Sequence, residues 1–89
     1  MIARALAASA ARHGVAIALR HVAERPWSSA TFTGARLTLA LDLDGGDPAG
    51  WLAALPEEDL PVPGHLVADL VVVAASADRA TLEVLLLDG

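Results

Sequence analysis

The feature that most constrains the fold is a strict alternation of apolar and polar residues from Arg36 to Asp44. Leucine occupies every second position from 37 to 43, and arginine, threonine, alanine and aspartate occupy the positions between and beside them. Successive side chains of a strand point to opposite faces, so the pattern predicts a β-strand with one buried face. We expect the segment from Ser28 to Asp44 to be one long strand, or a loop followed by a strand.

Three other segments alternate in the same way. The pattern predicts strands from Val15 to Arg25, from His65 to Ser76 and from Ala80 to Leu87. Residues 77–79 lie between the last two and are expected to form a tight turn. The last two strands are apolar on both of their faces, which distinguishes them from the second strand.

Two segments have helical signals. Residues 1–13 are rich in alanine, leucine and arginine, all strong helix formers, and Gly14 is typical of the position that follows a helix. Asp47 and Pro48 are typical of the N-cap and of the first helical residue. We therefore predict a first helix over residues 1–13 and a short second helix from Pro48 to Leu55.

These elements predict an α+β fold in αββαββ order. It would be a two-layer sandwich in which two helices lie on one face of a four-stranded antiparallel sheet. The length of 89 residues fits a single domain, residues 1–89. The halves 1–45 and 46–89 share their element order and a closing Leu-Asp-Gly, which suggests an internal pseudo-repeat.

Composition excludes several classes of protein. The chain has no cysteine, which excludes disulfides, thiol nucleophiles and thiolate metal sites and makes a cytoplasmic location the simpler expectation. The formal net charge is −5 and the basic residues, all arginine, are scattered, so we expect no nucleic-acid partner. No apolar run approaches the roughly 20 residues that a spanning helix needs, so we expect no membrane partner. The richness in alanine and arginine without lysine is typical of a GC-rich bacterial genome.

No catalytic or cofactor-binding motif is recognisable. His21 and Glu24 are three residues apart on a predicted strand, where such positions point to opposite faces, so they cannot form a local site. The acidic segment from Asp42 to Asp47 lacks the later ligands of an EF-hand calcium loop. We therefore predict no catalytic residue, no metal and no cofactor.

The segment from Glu24 to Gly34 is the best candidate for a binding site. It is longer than a simple hairpin loop needs, and it contains a tryptophan, the one phenylalanine of the chain and four hydroxyl residues. Tryptophan and arginine are common anchors of recognition surfaces. The candidate binding residues are Arg25, Trp27, Ser28 and Ser29, with His21 and Arg36 as expected neighbours. The alternative is that this segment is an edge strand whose aromatic residues pack over the core.

The apolar second face of the last two strands predicts a homo-oligomer. Two short helices cannot cover both faces of a four-stranded sheet, and soluble monomers rarely leave a large apolar patch exposed. A two-fold dimer that buries this face is the commonest solution. The expected interface residues are Val67, Val71, Val73, Leu85 and Leu87.

These observations favour a non-catalytic module that self-associates or binds a protein partner. One alternative is a small enzyme or enzyme subunit with a histidine-based site or a site shared between subunits. A second alternative is a small-ligand binder. The absence of a motif argues only weakly against an enzyme, because catalytic residues can be scattered along a chain.

Overall fold

A computed structural model describes residues 2–88 of the chain. Two α-helices, one 3-10 turn and four strands follow one another along it. The α-helices are α1 (Ile2–Ala11) and α2 (Pro48–Ala54), a 3-10 turn covers Leu55–Glu57, and the strands are β1 (Ala16–Ser28), β2 (Thr33–Asp44), β3 (His65–Ala75) and β4 (Arg79–Asp88). The predicted helix over residues 1–13 therefore ends two residues early, and its Met1 lies outside the described residues.

The four strands form one open sheet in the order β1-β2-β4-β3. Every neighbouring pair is antiparallel, which confirms the predicted α+β class. The two central strands, β2 and β4, are paired from Gly34 and Leu87 at one end to Asp42 and Arg79 at the other. The two edges of the sheet belong to β1 and β3.

The core lies against one face of β2 and β4. Every second residue of β2 from Leu37 to Leu43 is buried, as the leucine alternation predicts, and the same is true of β4 from Ala80 to Leu86. Side chains of α1 and α2 belong to the same buried cluster. We call this sheet surface the core face and the opposite surface the outer face. The apolar faces of the predicted helices and strands predict the following core residues, all of which are buried: Ile2, Leu6, Val15, Leu37, Leu39, Leu41, Trp51, Leu52, Leu55, Leu70, Leu82 and Val84.

One buried polar contact joins the two helices. The indole Nε1 of Trp51 donates a hydrogen bond to the hydroxyl of Ser9 at 2.9 Å, and both side chains are fully buried. Tryptophan is otherwise costly to bury completely, because its N–H needs an acceptor. Ser9 therefore satisfies the one polar atom of the largest core side chain.

Alternation along the third strand predicts that Leu66 shares the core face with Leu70, and this prediction is wrong. Its side chain is 60 % exposed, because the register of β3 shifts between Val67 and Asp69. This β-bulge adds one residue to β3 and reverses the faces of the residues before it relative to those after it. Val67 consequently aligns with Leu86 and packs against the core, whereas Leu66 aligns with Leu87 on the outer face.

A second bulge changes β1. Its register shifts between Leu19 and His21, so Leu19 and Val22 share the core face and His21 points to the outer face. Uninterrupted alternation predicts instead that His21 and Leu19 share a face. The bulge residue, Arg20, pairs its guanidinium with Asp42 of β2 at 3.5 Å.

Most of the predicted long loop is strand. β1 continues through Trp27 to Ser28 and β2 begins at Thr33, which leaves a four-residue connection. The amide of Ser29 donates to the carbonyl of Phe32 at 2.8 Å, and the amide of Phe32 donates to the Ser29 hydroxyl at 3.1 Å. Pro26 does not end the strand, because an edge strand can place a residue without N–H on its unpaired side.

Candidate functional site

The long β1–β2 hairpin brings four of the predicted binding residues to the outer face. His21, Arg25 and Trp27 are spaced by two or four residues on β1 after its bulge, so they share a face. Arg36 is the register partner of Arg25 on β2 and lies on the same surface. Trp27 is half-buried.

The two predicted serines have a different place. Ser28 is the last residue of β1, and the Ser29 hydroxyl is held in the hydrogen bonds that close the hairpin. Both lie at the end of the sheet instead of on the outer face with Trp27. In the structure these serines form the turn of the hairpin. In the sequence, a serine of a turn and a serine of a binding site look the same.

The predicted interface residues divide between the two faces. Leu85 and Leu87 of β4 and Val71 of β3 lie on the outer face, where Val71 is 44 % exposed. Val73 is also exposed and lies at a second register shift of β3, between Val72 and Ala74. The prediction that Val67 lies at the interface is wrong, because the first bulge of β3 turns its side chain towards the core.

Register partners form rows that cross the whole outer face. One row joins β1 to β3 through Arg25, Arg36, Leu85 and Asp69. The rows on either side of it consist of Trp27, Gly34, Leu87 and Leu66, and of Ala23, Thr38, Glu83 and Val71. In these three rows the cations lie towards β1, the carboxylates towards β3 and the large aliphatic side chains along β3 and β4, whereas a row nearer the other end of the sheet has Asp42 on β2 and Arg79 on β4.

Gly34 is required by a close approach between strands. A Cβ at this position would lie 2.0 Å from the carbonyl oxygen of Leu86. Leu87 is buried but does not belong to the core cluster, which agrees with its place on the outer face.

Several charges of the outer face have no ionic partner among residues 2–88. Asp42 is paired with Arg20 and with Arg79, the latter at 3.4 Å. Arg25 and Arg36, by contrast, face each other across the strands and form no ion pair in the described part of the chain. Like charges directly opposite on a sheet destabilise it, so this pair would gain from a nearby carboxylate.

The histidine of β3 lies elsewhere. His65 begins β3 on the other edge of the sheet, with its Nε2 at 3.7 Å from a carboxylate oxygen of Asp88. A cleft of about 290 Å³ at this end of the core face is lined by Glu24, Pro26, His65 and Asp88, among others. The structure therefore does not bring His21 and His65 together, and within residues 2–88 no three metal-binding side chains converge.

Neither helix among the described residues is long and apolar enough to cross a membrane. Comparison of the chain with protein-family models, with curated proteins and with solved structures finds no match. The outer face, defined by its register rows and its unpaired charges, is therefore the candidate functional surface on the structure alone.

Proposed function

We propose that the protein is a non-catalytic module that forms a two-fold homodimer through the outer face of its sheet. The observation that carries this proposal is the exposure of large apolar side chains there, with Leu66 at 60 % and Val71 at 44 %. Pairing this surface with its own copy would remove it from water, and burial of apolar surface is the main driving force of association. A cytoplasmic location and a bacterial origin accompany the proposal as predictions.

The architecture inferred for the subunit is an αββαββ sandwich with both helices on one face. Its support is the single buried cluster that contains side chains of α1 and α2, and the hydrogen bond between Ser9 and Trp51. In this arrangement, the outer face has no layer of its own chain above it.

The edges of the sheet favour a face-to-face dimer over strand addition. β1 has a bulge between Leu19 and His21 and also contains Pro26, which donates no backbone hydrogen bond. β3 has two bulges and an exposed carboxylate, Asp69. Bulges, prolines and charges are devices by which edge strands avoid pairing with other strands.

The area of the outer face is large enough for a dimer of moderate affinity. Four strands at the usual spacing and rise give a face of roughly 600 Å², so a dimer would bury about 1,200 Å² in total. Stable interfaces begin at about this size. We therefore expect association at micromolar concentrations.

Sedimentation equilibrium over a range of micromolar concentrations tests the proposal. The subunit mass is 9.1 kDa, and we expect the weight-average mass to rise towards twice this value as concentration increases. A mass that stays at that of one subunit throughout would contradict the proposed function.

A further inference from the structure

The charge pattern of the outer face points to one orientation of the second copy, an inference that rests on the proposed dimer. We infer that the two-fold axis runs roughly along the strands, so that β1 of one subunit lies over β3 of the other. Arg25 would then face the partner's Asp69. The occupant of the outer face is thus a second copy of this chain in a defined register.

One row of the outer face contains Arg25, Arg36, Leu85 and Asp69, in this order from β1 to β3. A two-fold axis in the interface and parallel to the strands reverses the order of the strands and keeps the position along them. The row therefore faces the same row of the partner, with the order of its residues reversed. Arg25 faces the partner's Asp69, and Arg36 faces the partner's Leu85, over which the aliphatic stem of an arginine can pack.

The neighbouring rows are compatible with the same axis. In one row, Trp27 would face the partner's Leu66, which brings the exposed leucine of β3 against an aromatic ring. In the other, Ala23 would face the partner's Val71, a small side chain against a larger apolar one. Opposite charges therefore meet in one row, and side chains of complementary size meet in the two rows beside it, where Glu83 would face the partner's Thr38 and Leu87 the partner's Gly34.

An axis that crosses the strands gives a worse match. It would place β1 over the partner's β1, so that the position of Arg25 meets that of the partner's His21 and gains no carboxylate. Asp69 would lie over the partner's β3 and would gain no cation. Both charges would then be desolvated without an opposite charge, which is costly.

Sheet twist shifts the contacts along the strands but does not change which strands face each other for each direction of the two-fold axis. Stacked sheets are usually rotated by about 30° relative to each other, which displaces residues at the edges by roughly 4 Å along the strand, about half the spacing between rows of one face. Arg25 lies one row from the centre of the face, and its long side chain can follow such a displacement. The partners of β1 and β3 therefore stay the same.

Charge reversal tests the orientation. Arg25→Asp would place two aspartates together at each of the two equivalent contacts, and Asp69→Arg would place two arginines together. We expect the dissociation constant of the dimer to be about tenfold larger for either variant alone than for the unmodified protein, because the contact occurs twice in the dimer. Mixed in equal amounts, the two variants would form a heterodimer in which both contacts are attractive.

The decisive measurement is sedimentation at a concentration where each variant alone is a monomer. The inferred orientation predicts a dimer in the mixture and in the double variant with Arg25→Asp and Asp69→Arg. Tighter self-association of Arg25→Asp, or a mixture that stays monomeric while the unmodified protein is a dimer, would overturn the orientation and leave the dimer standing. A monomeric unmodified protein would instead overturn the proposed function.

Discussion

Replacing Val71 and Leu85 together with arginine is expected to convert the dimer into a monomer at micromolar concentrations. Both side chains lie on the outer face, and Val71 is 44 % exposed in the single subunit, so the fold can accept a polar residue there. In a dimer the same positions are desolvated, and an unpaired charge costs several kcal/mol to bury. Sedimentation velocity measures the change, and circular dichroism verifies that the variant is folded.

A matched control uses the other face of the same sheet. Leu19 and Val22 are 44 % and 43 % exposed and lie on the core face of β1. Replacing these two with arginine adds the same charge to the same kinds of residue, and we expect the dimer to persist. Dissociation of the control to the same extent would show that net charge, and not the outer face, governs association.

Leu39→Ala is expected to lower the free energy of unfolding by about 2–5 kcal/mol, because it deletes buried atoms and leaves a cavity. Leu39 lies in the middle of the central strand β2 and is 1 % exposed. Chemical denaturation at one fixed protein concentration is the appropriate measurement, since dimerisation makes apparent stability depend on concentration.

Leu19→Ala is the control for this substitution. Leu19 aligns with Leu41 on the core face but lies on the edge strand and is largely in contact with solvent. We expect its loss of stability to be well below that of Leu39→Ala. Equal losses at the two positions would mean that the core does not lie where the buried cluster places it.

The elements of the fold could be predicted because their signals are local. The leucine alternation of β2 and the Asp47–Pro48 start of α2 depend only on side-chain direction and on helix capping, and both are confirmed. The buried faces of β2 and β4 also follow from alternation, since these central strands run in continuous register with each other.

The outer face could be predicted only in part, because bulges are not readable in this sequence. The shift of β3 occurs around Ala68, with neither glycine nor proline to mark it, and it exchanges the faces of Leu66 and Val67. The shift of β1 similarly moves His21 to the outer face. A one-residue slip changes which side chains share a surface, so interface residues are predicted less well than strands.

The rows of the outer face could not be predicted from alternation at all. Arg25 and Asp69 are far apart along the chain, and they share a row only because β1 and β3 occupy opposite edges of the sheet. Strand order and register are therefore needed before the charge pattern can be recognised. The unpaired Arg25 then becomes informative, since it lacks the carboxylate that Asp69 of a second copy would supply in the inferred orientation.

Chemical cross-linking through one introduced thiol tests directly whether the protein dimerises through the outer face. The chain has no cysteine, so Thr38→Cys would carry the sole thiol, and Thr38 lies in the middle row of the outer face. In any face-to-face dimer the two copies of this position lie close to the axis. We predict that a short bismaleimide links Thr38→Cys into covalent dimers at micromolar concentration and leaves Val22→Cys, on the core face, as monomers. Efficient linking of Val22→Cys, with none for Thr38→Cys, would contradict a dimer formed through the outer face.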